Sequence, residues 1–597
     1  MFDSVVSLQG RSEGRRILGM APTTFLFVVA AFLITAAIAR LQIALRLHAP
    51  LGAIQIFYYL FTEDDYIGSY LLILVLLVAA VPILQQWGPR LARWFGAHPV
   101  LVSGVSGVVF AAGAWFVYLR HPLAMDESSV VLQAKIFAHG ALVGRYPPEL
   151  LDRLVYPPFQ GMFINVSRQS GEIASTYLPG FALLLTPFMW AGVPWLCNPV
   201  IGAVSVWVIH RLVLELTESE EAAGAAALIT VASAAFTINS MSFYAMPAIM
   251  LCNAAFVLLL LEPTRSRCFF AGMVGGLALV LHSPLPHALF ASVWLLWLFA
   301  SRTDRWRLLG CVALGYLPWL SVLAGWTRLL QGLADHPAGA AAPAVAGLQW
   351  LVAMAKAFRP PAAVQWLHQL IGLAKLWLWA APFSVLMAAI GLWRHRTDIR
   401  YRLLLASAVM LFMGYLFVAF DQGHGWGFRY FQAAWFAVPV FAAGALVPPP
   451  HPQPTGVRSM RLSDDPLTRW TLAGALCGLI VMTPYFAWQV RDFISDHLAE
   501  LPRATTGEPK ILFINPQGGY YSQDLIQNDP FLRDPVIRMV GHGQKADTDL
   551  IAQRYPDLVL LALSFRGSVW GIAPIGVSMR RLPATQSPAS SPGTSAP

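Results

Sequence analysis

The chain has 597 residues, 57% of them hydrophobic and only 12% charged, and its mean hydropathy is +0.58. Water-soluble globular proteins carry about 25% charged residues, so the composition excludes a soluble enzyme and indicates a polytopic membrane protein. The net charge of +9 reads as the Lys/Arg excess that membrane proteins keep in cytoplasmic loops, and nucleic acid is not expected as a partner.

In chain order, Arg11, Arg15 and Arg16 precede a first apolar run at 17–39. No small-residue cleavage site is evident, so this run is expected to stay as a span and not to act as a removed signal peptide. Apolar runs of about 20 residues suffice to cross the hydrocarbon core. Further candidates lie at 69–87, 100–118, 198–216, 222–240, 245–262, 268–282, 284–300, 308–326, 374–393, 403–420, 430–447 and 470–489. The pair 268–282 and 284–300 is interrupted by Ser283, Pro284 and Pro286 and reads as a tight hairpin.

One more apolar segment, 178–193, is short and follows Tyr177-Leu178-Pro179-Gly180. Left uncrossed, it lets Arg90 and Arg93, Arg265 and Arg267, Arg302 to Arg307, Arg394 to Arg402, and Arg458 to Arg469 all fall inside. That is a consistent positive-inside pattern, so 178–193 is expected to be an interfacial or re-entrant helix on the outer side. The expected fold class is an α-helical polytopic membrane protein of about thirteen transmembrane helices, N-terminus cytoplasmic and C-terminus periplasmic, with a small α/β soluble domain. The loop 40–68 is expected outside despite Arg40 and Arg46, which Glu63, Asp64 and Asp65 offset.

Five cysteines, Cys197, Cys252, Cys268, Cys311 and Cys477, lie in or beside apolar runs without ligand spacing. They read as small packing residues, with no disulfide framework and no metal site. After the last run, Lys510–Ile514 and 557–561 read as buried strands and 549–555 as a helix between them. The expected division is a two-span extension at 1–99 and a main transmembrane module at 100–447, whose large outer loop is 119–197. A linker and last span at 448–489 follow, then an α/β domain at 490–582 and a disordered Pro/Ser-rich tail at 583–597.

With this topology the unusual polar groups meet on one side. The large loop carries Asp126, Glu127, Lys135 and Glu172; a turn carries His282 and His287; a Gly-rich loop carries His424 and Arg429. A carboxylate can deprotonate an acceptor hydroxyl, and cations can hold a phosphate leaving group. Each residue also has a structural reading. Asp126 fits a helix N-cap before 128–138, the two histidines fit hydrogen-bonded turn positions, and Arg429 fits a headgroup contact.

Taken in order, three segments resemble the GT-C superfamily of integral membrane glycosyltransferases, in the branch of protein O-mannosyltransferases and Rgt-type lipopolysaccharide glycosyltransferases. They are Asp126-Glu127 with the aliphatic stretch Val130 to Phe137 and Gly140, then Ser175-Thr176-Tyr177-Leu178-Pro179-Gly180, then Gly427-Phe428-Arg429-Tyr430. The resemblance implies a sugar on a polyprenyl phosphate as donor and a glycan, lipid or protein as acceptor, within a bacterial inner membrane. It implies Asp126 as general base of an inverting displacement, with Glu127 positioning the base or the acceptor. Arg429, assisted by His424 or Lys135, would hold the donor phosphate. Tyr177, Glu172, His282, His287 and Tyr430 would be substrate-site residues.

The sequence departs from the family pattern at Leu178, at Phe243 to Pro247 and at His282. The missing second-loop acid argues against a metal-dependent version; no cofactor is expected, and a divalent metal is left open. The alternatives are a transporter or flippase, or a non-catalytic envelope-assembly protein. A transporter would place ionisable groups at the bilayer midplane, where this sequence has few.

Overall fold

Proline and the length of each apolar run decide where the helices begin and bend. The computed structural model describes residues 21–48, 56–333, 360–418, 422–423, 425–447, 465–499, 501, 510–515, 520–554, 559–567 and 574–581. The N-terminal arginines, His424, most of the expected linker and the expected tail lie outside the described residues.

The first part runs α1 (Pro22–His48), α2 (Asp65–Val78), α3 (Pro82–Ala97), α4 (Pro99–Phe116), α5 (Met125–Ala138) and α6 (Gly180–Trp190). Then come α7 (Cys197–Thr217), α8 (Glu220–Val231), α9 (Ala234–Asn239), α10 (Met246–Leu260), α11 (Arg265–Val280), α12 (Leu285–Ser301) and α13 (Arg305–Leu333). The last group is α14 (Ala363–Trp379), α15 (Ser384–Arg394), α16 (Ile399–Leu416), α17 (Ala437–Gly444), α18 (Pro466–Cys477), α19 (Thr483–Ala499) and α20 (Gln544–Arg554). Proline opens α3, α4 and α18, where its missing N–H would have had no helical partner.

The chain is a mostly helical, multi-pass membrane protein. Among the described residues six helical stretches are each long and apolar enough to cross a membrane, or eight if each of two bent pairs is one span. The expected thirteen are not reproduced by this measure. The runs 69–87 and 374–393 straddle bends, one of 94° into α3 and one of 102° between α14 and α15. Val81 is extended at φ −64° and ψ 123°, as a residue before proline prefers. At the second bend Phe383, after Pro382, takes φ +67°. Other runs fold as shorter helices: α10 and α12 have 15 and 17 residues. The run 430–447 splits into the 3-10 turn Arg429–Ala434 and α17. The 11 residues of α6 extend about 16 Å, roughly half the hydrocarbon thickness.

The N-terminal helices are fastened to the rest by a buried ion pair. Asp65, at the head of α2, lies 2.6 Å from Lys375 of α14 and accepts the Trp379 indole N–H at 2.7 Å. Both charged side chains are 1% exposed. Removing one partner strands the other charge, so Lys375→Met should destabilise the protein by about 3–5 kcal/mol. Adding Asp65→Asn should restore part of that, read as unfolding temperature in detergent.

Two small sheets stand beside the helices. The loop after α5 forms β1 (Gly144–Arg145), β2 (Ile164–Val166) and β3 (Glu172–Ser175), antiparallel in the order β1-β3-β2. The C-terminal strands are β4 (Lys510–Ile514), β5 (Val536–Val540), β6 (Val559–Gly567) and β7 (Pro574–Arg581), in the order β5-β4-β6-β7. β4 is parallel to both β5 and β6, which α20 makes possible as the crossover between them. The expected strand at 510–514 is β4, and the expected helix starts five residues early as α20.

The C-terminal sheet shares a core with the loop: Met125, Leu132 and Ile136 of α5 pack in one cluster with Leu150, Ile511, Phe513 and Met539. Arg153 of the loop pairs with Asp547 of α20, and its guanidinium lies 6.0 Å from the Phe513 ring. This sheet is thereby held along α5, from Met125 in its first turn to Ile136 in its last.

Candidate active site

The first turn of α5 sets the geometry. Its N-cap is Ala124, extended at φ −101° and ψ 162°, so Asp126 is not the capping residue. Glu127 caps the helix start instead. Its Oε2 accepts from the N–H groups of Leu123 and Ala124 at 3.0 and 3.3 Å. Its Oε1 accepts from the Phe243 N–H at 2.8 Å. A helix start leaves N–H groups without partners, and a glutamate at the third position supplies them. Burial pushes the Glu127 carboxyl up to about 7, against the pull of these N–H donors and the Tyr118 hydroxyl. Glu127 therefore ties the turn before α5 to the loop before α10, and it fixes where Asp126 sits.

Asp126 meets Arg429, 303 residues away in sequence, with Nη1 2.6 Å from Oδ2. The two side chains are 16% and 9% exposed. The Tyr177 hydroxyl donates to the other carboxylate oxygen. Burial would raise the Asp126 carboxyl, but Arg429, His282 and the bonds from Tyr177 and Arg429 outweigh it and hold it below the usual carboxylate range.

His282 stacks on Tyr177 at 4.1 Å. Burial pushes its imidazole down to about 4, with Asp126 pulling up and Arg429 pushing further down. His282 is neutral at pH 7, and its Nδ1 has no hydrogen-bond partner among the described residues.

The local sequence explains why these groups meet. Leu178 N–H donates to the His282 carbonyl at 3.4 Å. A Cβ on Gly180 would stand 2.6 Å from the Val280 carbonyl oxygen, so only glycine lets α6 approach α11 and bring Tyr177 to His282. On the other side, Gln422 Oε1 accepts the Arg429 N–H at 2.9 Å and its Nε2 donates to the Gly427 carbonyl at 3.0 Å. Gly427 has φ +68°, the left-handed region that favours glycine. Trp426 donates to the Tyr118 hydroxyl at 2.9 Å, and the Arg429 guanidinium lies over the Tyr244 ring at 5.3 Å.

Five of the residues expected at the site are thus brought together: Asp126, Glu127, Tyr177, His282 and Arg429. Tyr430 is beside them, stacked on Tyr415 at 4.4 Å. It lines a small recess of mixed character with Phe57, Gln365, His368, Val418 and Gln422.

Three of the expected residues lie apart from this group or face elsewhere. Lys135 is nine positions after Asp126 on α5, which is about 14 Å along the axis and half a turn round it. Glu172 lies in β3 opposite Arg145 and accepts the Ser170 hydroxyl at 3.0 Å. His287 is in the first turn of α12 but points into the helices, 2.6 Å from both the Asn253 amide oxygen and the Tyr316 hydroxyl. Asn253 in turn donates to the Ala433 carbonyl at 2.9 Å, so His287 braces the 3-10 turn that begins at Arg429.

Tyr118, Tyr244, Gln422 and Asp524 belong to this neighbourhood and do not stand out in the sequence. Asp524 has one signal there, its place in the connection after a strand of a parallel sheet. Phe243 enters through its backbone N–H, which no side-chain pattern encodes. Among the described residues no group of three or more His, Cys, Asp or Glu is arranged to hold a metal ion. An apolar cavity of about 450 Å³ lies among the helices, lined by Phe95, Phe110, Phe116, Val117, Met241 and Ala487 among others and by none of the five residues brought together here.

No family model and no curated protein matches the chain. Among solved structures it is similar to ArnT from Cupriavidus metallidurans bound to undecaprenyl phosphate, at 14% identity and a TM-score of 0.48, over 77% of this chain and 92% of that one. The apo state of the same protein gives 13% identity and a TM-score of 0.46 over the same shares. The Archaeoglobus fulgidus oligosaccharyltransferase in complex with zinc and sulfate gives 11% and 0.35, over 77% of this chain and 68% of that one.

Proposed function

We propose that the protein is an inverting membrane glycosyltransferase that moves a sugar from a polyprenyl-phosphate donor to a glycan, lipid or protein acceptor at the periplasmic face of a bacterial inner membrane. The observation that carries this reading is the buried Asp126–Arg429 pair beside Tyr177 and His282. A guanidinium binds phosphate oxygens through paired N–H bonds. Donor phosphate arriving at Arg429 competes with Asp126 for that guanidinium, and the released carboxylate becomes the stronger base.

The acceptor hydroxyl then loses its proton to Asp126 and attacks the anomeric carbon from the face opposite the phosphate. The new glycosidic bond forms as the bond from carbon to phosphate oxygen breaks. The phosphate leaves with the electron pair, held by Arg429. One displacement inverts the anomeric centre. Glu127 positions Asp126 through the helix start, and Tyr177 and His282 orient its carboxylate. The apolar cavity of about 450 Å³ suits part of an isoprenoid chain.

The transporter alternative would draw on the buried Asp65–Lys375 pair, but each partner is already bonded to the other. The test is transfer of labelled sugar from a polyprenyl-phosphate donor made in the same membranes, with the anomeric configuration of the product read out. Label in an inverted product is expected. A retained configuration, or no transfer while donor is present, sinks the reading.

A further inference from the structure

The proposed displacement makes no use of the buried carboxyl group of Asp524. Asp524 lies in the 3-10 turn Tyr520–Leu525 that follows β4. β4 is flanked by β5 on one side and β6 on the other, so its carboxyl end lies where the strand order reverses. Ligands of parallel α/β sheets bind at such places.

The turn is held against the start of α5. Gln527 Nε2 donates to the Pro122 carbonyl at 2.9 Å and to the Asp524 carbonyl at 2.8 Å. Leu525 is buried with Leu512 and Ile514 of β4. Asp524 itself is 3% exposed, and its carboxyl group is close enough to feel the charges of both Asp126 and Glu127. Among the described residues its side chain has no hydrogen-bond or ion-pair partner. A carboxyl group buried without a partner is unfavourable.

We infer that Asp524 is the acceptor-binding residue that the C-terminal sheet contributes to the site, hydrogen-bonding a hydroxyl of a sugar-bearing acceptor and turning the neighbouring hydroxyl toward Asp126. This rests on the transferase reading. Arg429 serves the donor side, so the unfilled hydrogen-bonding capacity lies on the acceptor side. Burial first, and then the two neighbouring carboxylates, push the Asp524 carboxyl well above its usual range. That direction favours the neutral acid, which can donate and accept at once. A sugar hydroxyl completes both bonds, whereas an ammonium group would need the ionised form.

The experiment compares wild type, Asp524→Asn and Asp524→Leu in membranes holding labelled polyprenyl-phosphate sugar. Two products are counted: sugar transferred to the endogenous acceptor, and free sugar released when water takes its place. Asp524→Leu should lower transfer about tenfold or more while free-sugar release stays near wild type. Asp524→Asn, which also donates and accepts, should recover most of the transfer. Wild-type transfer in Asp524→Leu, or equal loss of transfer and release, overturns the inference.

A second arm needs no activity. In detergent without substrate, Asp524→Leu should raise the unfolding temperature, because it removes a buried group with no partner. A lower or unchanged temperature identifies Asp524 as a structural residue and overturns the inference. If wild type transfers nothing, the transferase reading fails, and the unfolding arm still decides whether Asp524 is an unsatisfied group.

Discussion

Asp126→Asn should lower sugar transfer by about 10²- to 10⁴-fold, the contribution of a positioned general base, and should lower the unfolding temperature as well, because it leaves the Arg429 guanidinium without its counter-charge. Asparagine matches the shape of aspartate and still accepts the Tyr177 hydroxyl bond, but it cannot take a proton. The check is single-turnover transfer in membranes with quantified protein; transfer within a few-fold of wild type removes Asp126 from the mechanism.

The same residue predicts a pH dependence. In the free protein the Asp126 carboxyl is held below the usual carboxylate value by Arg429, His282 and its hydrogen bonds, despite burial. A depressed acid keeps its basic form at lower pH, so the acid limb of kcat/KM should lie below about pH 4, the ordinary aspartate value. The sign for stability is the same. The group stabilises the fold above its unfolded pKa, and that contribution is lost as pH falls through the lower folded pKa. Replacing Arg429 should move the acid limb upward.

Arg429→Gln should cost both activity and stability. Loss of a cation aimed at the leaving phosphate lowers transfer by roughly 10²–10³-fold. Loss of one partner of a buried ion pair leaves Asp126 with its charge uncompensated, at about 3–5 kcal/mol. The double variant Asp126→Asn/Arg429→Gln should be more stable than Arg429→Gln alone, because the stranded charge is gone. Arg429→Lys should recover stability better than transfer, since an ammonium is a point charge without the guanidinium fork. Transfer in Arg429→Gln equal to wild type would remove this residue from donor binding.

Particular residues show where reading the chain succeeds and where it stops. Asp126 and Arg429 are legible because each lies in a local motif, an acidic pair before an aliphatic stretch and a Gly-rich loop ending in Arg-Tyr. Their 2.6 Å contact is not, since it spans 303 positions. Lys135 could be set aside from helix geometry alone, because nine positions carry a side chain to the opposite face. Glu127 cannot be understood in the same way. Two of its partners are local, and the third is the backbone N–H of Phe243. His287 reads as a loop residue until α12 turns it toward Asn253 and Tyr316.

The expected span count is not reproduced among the described residues for a similar reason. A hydropathy window sums apolar residues without sensing direction, so 69–87 and 374–393 pass as single spans although Pro82 and Pro382 stand inside them. What the amino-acid sequence by itself determined was the solvent of this protein, the order of its apolar segments, and the local chemistry at Asp126, Tyr177 and Arg429. Those properties follow from composition, from apolar run length and from short-range stereochemistry, which act within a few residues. The tertiary structure alone decided which helices bend, that Glu127 caps while Asp126 stays turned to Arg429, and that the C-terminal sheet brings Asp524 beside them. Each of these depends on groups distant in sequence meeting in a buried place, where low polarity makes a single unpaired charge or N–H expensive enough to select one arrangement.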